Sequence, residues 1–350
     1  MCLRICLFKL LIISLSLIGL VQLKAQDQQY IDSLTHVYDQ AKSDSLRILA
    51  LRRIAWHYLR HDLRQARTYS NRFREIARNA GHEHSLAVSD HYLGLIDRLE
   101  GNYPKALTAF NRALDYYQSD TAYRASQLGA LFNIGVVYQL AGDFEKALEY
   151  FFLELDLRDS LKVENGTANT LNSIGVTYKK MRAYDKALEI YNRAFELCRS
   201  RKDSSTMSLI LHNRSLLKNL QEDYISSITD AEAALVIDRR DGYAKGIASN
   251  YELLARNYMQ LGQYSTALRL ADQSLEIRKD LGEQKELLNA YMSLSEIHGQ
   301  LQNTQTAINY ALEGLKISQA LKLPDETRTL YQLLAKAHSD GGEHKSALQA

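Results

Sequence analysis

A pattern of apolar and small residues recurs every forty positions and constrains the fold more than any other feature of this 350-residue chain. Leu131, Ile134, Gly135 and Tyr138 have counterparts at Leu171, Ile174, Gly175 and Tyr178. Further copies of the frame begin at Tyr251, Tyr291 and Tyr331, and weaker ones at Leu51, Leu93 and Leu211. A constant spacing of this length is typical of architectures in which equivalent units stack on their neighbours.

Each unit is predicted to consist of two helices. Leu131, Ile134 and Tyr138 follow the spacing of one helical stripe, and the same spacing resumes at Phe144 after a Gly142-Asp143 turn. Small residues recur where the two helices are expected to cross closely, which requires little side chain at the contact. These residues are Gly94, Gly135, Gly175, Ser215, Ala255, Ser295 and Ala335. Glycines in Asn165-Gly166, Asp241-Gly242 and Leu281-Gly282 are expected to stop helices elsewhere.

The pattern L-x-x-I-G-x-x-Y followed by G-x-F/Y-x-x-A-L resembles the tetratricopeptide repeat, a helix–turn–helix unit of about 34 residues. The longer period resembles the kinesin-light-chain-like branch of that family. The resemblance covers residues 48–350 and implies an all-α fold, an α-solenoid in which antiparallel helix pairs form a right-handed superhelix. About eight repeats are expected, the last of them incomplete because the chain ends within its second helix.

The first 25 residues have the order of a secretory signal peptide. Arg4 and Lys9 precede a nearly continuous apolar run from Leu10 to Leu23, and cleavage is expected after Ala25. The alternative is an uncleaved anchor, but the run is shorter than the roughly 20 residues that cross a bilayer. Residues 26–47 are predicted to form an amino-terminal capping helix for the first pair.

The charge balance of the remaining chain argues against a nucleic-acid partner. Removing Arg4, Lys9 and Lys24 leaves 40 basic residues against 41 acidic ones, a net charge of −1. Binding of nucleic acid requires clustered basic residues. Cys198 is then the one remaining cysteine, and its helical spacing from Ala194 favours a core position over an exposed thiol that pairs two chains.

No motif indicates catalysis, a cofactor or a metal site. The sequence contains no Gly-rich phosphate loop and no G-x-S-x-G motif. His57 and His61 are four residues apart, which permits a metal pair, but no third ligand is evident and a structural role is favoured. Glu145, Glu149 and Glu154 are expected to form the solvated face of one helix. We therefore expect this region not to be an enzyme.

The resemblance does suggest a ligand groove, because in this family the first helix of each pair lines the inner wall. Amide side chains beside the apolar stripe can donate to and accept from an extended peptide backbone; the alternative is that they are ordinary solvated residues. Arg214 and Lys218, which break the stripe of the weakest unit, are either an adaptation to a ligand or the result of drift. The groove candidates are Asn133, Gln139, Asn172, Lys179, His212, Asn213, Arg256 and Asn289.

The export signal, the repeats and the chain end inside a repeat together resemble the periplasmic input region of bacterial sensor proteins. In those proteins, tetratricopeptide repeats precede a transmembrane helix and a kinase or DNA-binding output module. The expected function is non-catalytic binding of a protein or peptide segment in the periplasm. Membrane attachment is expected only through the leader or through a part beyond Ala350. The alternative is a free-standing scaffold for assembly of envelope complexes.

Overall fold

The computed structural model describes residues 27–341, and within this range every regular element is helical. The predicted all-α fold of consecutive antiparallel helix pairs is confirmed. The predicted signal peptide lies outside the described residues. The helices are α1 (27–40), α2 (Asp44–Tyr58), α3 (Leu63–Asn79), α4 (Glu83–Leu99), α5 (Tyr103–Gln118), α6 (Arg124–Ala141), α7 (Phe144–Leu161), α8 (Thr167–Lys180), α9 (Tyr184–Arg201), α10 (Ser204–Leu220), α11 (Tyr224–Asp241), α12 (Ala244–Gln260), α13 (Tyr264–Leu281), α14 (Gln284–Gln300), α15 (Thr304–Ala320) and α16 (Pro324–Asp340). A short 3₁₀ turn covers Thr121–Tyr123.

The chain forms two compact units, the first ending at Lys162 and the second beginning at Val163. We call the even-numbered helices the A helices and the odd-numbered helices from α3 onward the B helices. Within each unit, each A helix from α2 to α14 packs against the B helix that follows it, and successive A helices of the unit contact each other. Successive B helices of a unit make no contact in the described part of the chain. The A helices therefore form the inner row of each unit and the B helices the outer row.

Three glycines of the A helices each lie beneath an aromatic ring of the paired B helix. Gly94 faces Phe110, Gly135 faces Phe151 and Gly175 faces Tyr191. A Cβ atom added to Gly175 would lie 2.5 Å from Cε1 of Tyr191. In later repeats the small residue is Ser215, Ala255 or Ser295. Sixteen positions after it, where the earlier repeats have the aromatic ring, these repeats have alanine. The expected close crossing is confirmed. Where the A helix carries a larger residue than glycine, the B helix carries alanine in place of the aromatic ring.

The turns between helices share a left-handed residue at a regular position. From residue 142 to residue 322 a positive φ occurs every twenty residues, at Gly142, Lys162, Arg182, Lys202, Glu222, Gly242, Gly262, Gly282, Gln302 and Lys322. Gly242 and Gly282 end helices as predicted. The expectation for Gly166 was wrong, because α7 already ends at Leu161, with Lys162 as its cap, and Gly166 is the residue before α8.

Burial agrees with most of the sequence-based expectations. Cys198 is buried, and burial raises the pKa of its thiol to about 11. In the helix 27–40, Ile31 and Leu34 pack with Ile54 of α2. The solvated role expected of Glu154 was wrong, since it is fully buried and paired with Arg158 one turn later. Among the described helices none is both long enough and apolar enough to cross a membrane.

Candidate functional site

Polar side chains connect successive A helices of the second unit across its inner row. The amide of Asn213 on α10 donates to Oδ1 of Asn172 on α8 over 2.9 Å. Nδ1 of His212 lies 2.8 Å from Oδ1 of Asn250 on α12, and the amide of Asn219 donates to Oδ1 of Asn257 over 2.8 Å. Asn172 and Asn213, predicted to face a ligand, are thus brought together and bond to each other.

One depression in this unit has a volume of about 520 Å³. Asp238, at the end of α11, is one of its lining residues and is 5% exposed. It accepts hydrogen bonds from Ser208 at 2.6 Å and from Asn250 at 2.8 Å, and burial raises the pKa of its carboxyl. The other lining residues are Asn169, Ser205, Thr206, Leu209, His212, Asp241, Tyr243, Lys245, Gly246 and Ser249.

Basic side chains meet on the same inner row. Burial lowers the pKa of His212, and the charges of Lys179, Arg256 and Arg278 add to that shift. The hydrogen bond that Nδ1 of His212 donates to Oδ1 of Asn250 opposes it. Two further predicted residues, Lys179 and Arg256, are therefore close enough to His212 for their charges to affect its pKa. Burial also lowers the pKa of Lys179.

A second depression, of about 410 Å³, lies on α12, α14 and α16 of the same row. Arg256 and Asn289, both predicted candidates, line it together. Glu252 lies 3.6 Å from Arg256 and 4.0 Å from Arg278, and burial raises the pKa of its carboxyl against the effect of both guanidinium groups. Met259, Met292 and Leu333 add apolar lining. The depression offers charge, an amide and apolar surface in one place.

The two candidates of the first unit both lie on α6. The amide of Asn133 donates to the carbonyl oxygen of Gly129 one turn earlier, at 2.7 Å. Gln139 is buried, with 9% of its surface exposed. Their role in ligand binding stays a prediction.

Sequence reasoning missed several polar residues of the inner row, among them Asn250, Asn257 and Glu252. A signal for two of them was present in the repeat. Asn250 occupies the position of Ala130 and Ile210 in other units, and Asn257 occupies that of Val137 and Leu217. A polar residue where most other repeats hold an apolar one therefore marks this face.

Arg214 and Lys218 bind an acid of the paired helix and do not face a ligand groove. Arg214 forms two hydrogen bonds with the carboxylate of Asp230 on α11, at 2.6 and 2.7 Å, and Nζ of Lys218 lies 2.8 Å from the same carboxylate. Asp230 is 4% exposed. The break in the apolar stripe is thus matched by an acid on the paired helix, and both cations are used inside the helix pair.

The helix pairs described above correspond to a known family of repeats. The tetratricopeptide repeat family matches residues 126–200 and, separately, residues 248–281. The chain contains tetratricopeptide repeats. Repeats of this family are non-catalytic protein-binding modules, which agrees with the expectation that this region is not an enzyme.

Three similar proteins illustrate the range of this fold. The photosystem I assembly protein Ycf3 of Rippkaea orientalis is 31% identical over an alignment of 120 residues. The alignment covers 30% of this chain and 62% of that protein, so the match spans less than two thirds of its length. The apo form of the quorum sensor NprR from B. thuringiensis has a TM-score of 0.68 at 13% identity and covers 94% of this chain and 96% of its own. A Rap protein complexed with competence and sporulation factor has a TM-score of 0.60 at 15% identity, with 94% of each chain covered. At these identities the two structures show the tetratricopeptide-repeat fold alone.

Proposed function

We propose that the inner row of the second unit binds an extended segment of a protein or peptide. One observation carries the proposal: Lys179, His212, Arg256 and Asn289 lie on four successive A helices. His212 lines the depression of about 520 Å³, and Arg256 and Asn289 line that of about 410 Å³. The Rap protein named above has been captured in complex with a factor, which supports a ligand-holding role for the same fold.

The chemistry of this row suits an extended backbone with acidic groups. Amides both donate and accept, so they can follow the alternating N–H and C=O groups of a peptide. Guanidinium and ammonium groups complement carboxylates, and charge complementarity of this kind contributes mainly to specificity and association rate. The ligand class that fits best is therefore an extended peptide carrying at least one carboxylate near Lys179 and Arg256.

We further propose that the protein acts outside the cytoplasm, as the sensory region of a periplasmic signalling protein. The support for this setting is the leader-like order of residues 1–25. The second candidate is a free-standing scaffold for envelope assembly; Ycf3, a relative by sequence, is named for an assembly role. In either setting the inner row would hold the partner.

The binding proposal is tested with an array of acidic and neutral peptides and a variant that removes two inner-row charges, Lys179→Ala/Arg256→Ala. We expect acidic peptides to bind the unaltered chain and to lose at least tenfold in affinity for the variant. The matched control is Arg193→Ala/Lys279→Ala, which removes the same charge from exposed positions of the outer helices α9 and α13. Equal losses in both variants would contradict an inner-row site.

The location is tested separately by fusing residues 1–60 to a reporter enzyme that becomes active only after export. We expect activity from this fusion and none when Leu10–Leu23 is deleted. Reporter activity that persists without the apolar run would contradict an export signal at this end.

A further inference from the structure

Two neighbouring histidines and a carboxylate from the preceding helix lie together at the end of the first A helix. His57 lies in the last turn of α2 and His61 in the turn that follows it, with ring centroids 5.3 Å apart. Asp27, thirty residues before His57, lies in the first described turn of α1. The ligand atoms of all three side chains are within 4.8 Å of one another. The third ligand that the sequence did not reveal is thus supplied by a separate helix.

Imidazole nitrogen and carboxylate oxygen are the donors that zinc takes in sites that keep an open position for water. Around one tetrahedral zinc ion, donor atoms are about 3.4 Å apart, since each lies about 2.1 Å from the metal. Separations of at most 4.8 Å close to that value through small rotations of the side chains. His61 is exposed and the other two are half-buried, so the ion has a path of entry.

The surroundings favour a cation at this place. The carbonyl groups at the carboxyl end of α2 carry partial negative charge, which stabilises a positive group within the last turn. Tyr30 of α1 already contacts His57, with ring centroids 5.8 Å apart. Helix α1 therefore needs no rearrangement to place Asp27 beside the two imidazole rings.

We propose that Asp27, His57 and His61 bind one Zn²⁺ ion, with water completing the coordination. The bound ion joins α1 to α2 and so fastens the amino-terminal helix to the first repeat. The site lies in the first unit, and it does not depend on the peptide-binding proposal.

The test is a calorimetric titration of the purified, tag-free chain with ZnCl₂. We expect one ion per chain, release by a chelator, and at least tenfold weaker binding for His57→Ala, His61→Ala and Asp27→Asn. The matched control is His36→Ala, which removes an exposed histidine of α1 outside this group. It should bind zinc as the unaltered chain does.

A second measurement guards against variants that fail to fold. Zinc should raise the thermal midpoint of the unaltered chain and of His36→Ala, because the ion binds only the folded site, and it should leave that of Asp27→Asn almost unchanged. Absence of zinc binding by the unaltered chain would overturn the proposal. Equal affinity for zinc in the unaltered chain and in folded His57→Ala would overturn it as well.

Discussion

At the residue scale, single atoms decide how closely the paired helices approach. Gly175 leaves space for the ring of Tyr191 beside the backbone of α8, and Tyr191 is completely buried there. One added methyl group would have to displace the ring or separate the helices. By contrast, Gly299 of α14 has no atom within 4 Å of the position that its Cβ would occupy.

These two glycines give a matched prediction. Gly175→Ala should lower the free energy of unfolding by about 1–3 kcal/mol through overpacking. Gly299→Ala should raise it by about 0.5–1 kcal/mol, because alanine loses less chain entropy within a helix. Denaturant midpoints followed by circular dichroism compare the two. A stable Gly175→Ala variant would refute the close crossing of α8 and α9.

His91 predicts a pH dependence of stability in the first unit. Burial lowers the pKa of this histidine to about 4, and the charge of Arg98 adds to the effect; its buried Nδ1 has no hydrogen-bond partner. Between pH 6.5 and about 4 the unfolded chain therefore takes up a proton that the folded chain does not, so stability falls as the pH falls. The loss from this residue amounts to at most about 3 kcal/mol.

His91→Leu removes the titrating group and fills a similar volume. The unfolding free energy of this variant should decline less between pH 6.5 and 4 than that of the unaltered chain. Urea titrations at several pH values measure the slope, and parallel curves for the two proteins would assign the acid sensitivity to other residues.

Which residues face the inner row could be predicted only in part. The repeat frame placed Lys179, His212 and Arg256 on successive A helices of the second unit, because position within a repeat determines the face of the helix. Their role in ligand binding stays a prediction. It did not show that Asn172 and Asn213 bond to each other, since that contact joins residues 41 positions apart on two helices. Residue type indicates hydrogen-bonding capacity, while the partner depends on the packing of the helices.

At the scale of elements, α10 and α11 show how a repeat that departs from its pattern keeps its pairing. Arg214 and Lys218 stand where other units have Ile174 and Tyr178, and Asp230 stands where they have Ile190 or Leu270. The substituted residues form one buried ion cluster across the helix pair. The polar residues of this pair therefore depend on one another.

This dependence is testable by breaking the cluster and by replacing it. Asp230→Asn should cost about 3–5 kcal/mol, because two cations lose their partner in a desolvated position. The triple variant Arg214→Ile/Lys218→Tyr/Asp230→Leu restores the pattern of the other units and should be at least as stable as the unaltered chain. Thermal and urea unfolding compare the variants. A triple variant as unstable as Asp230→Asn would contradict this view of the repeat.

The helices themselves were predictable because their apolar spacing is strict and repeated. Their ends were less so. A glycine marks a left-handed turn at Gly242, but Lys162 and Gln302 adopt the same conformation without any residue type that favours it. Packing of the flanking helices imposes that conformation, and it is visible in the sequence only through the twenty-residue register.

At the scale of the whole molecule, the turns in which a residue with a side chain adopts the left-handed conformation each lower the stability of the fold. A left-handed conformation costs a residue with a side chain about 1–2 kcal/mol, which glycine avoids. Replacing Lys162, Gln302 and Lys322 by glycine should therefore raise the unfolding free energy at each turn. The gains should add, because distant turns share no contacts.

Single and triple variants at these turns are compared by thermal unfolding. The control is Lys336→Gly, at an exposed position inside α16, which should lower stability by about 1 kcal/mol. A midpoint that falls in the turn variants as it does in the control would show that these lysine and glutamine side chains stabilise their turns.

The side-chain bridges between the inner helices of the second unit have a mechanical consequence. A peptide that binds to these amides must replace the hydrogen bonds they already make, and such an exchange contributes little net free energy. Selectivity would then rest on how well a ligand reproduces the existing bonds. As the amides change partners, the hydrogen bonds that join α8, α10 and α12 would be lost. The separation of these helices would then depend on whether a peptide is bound.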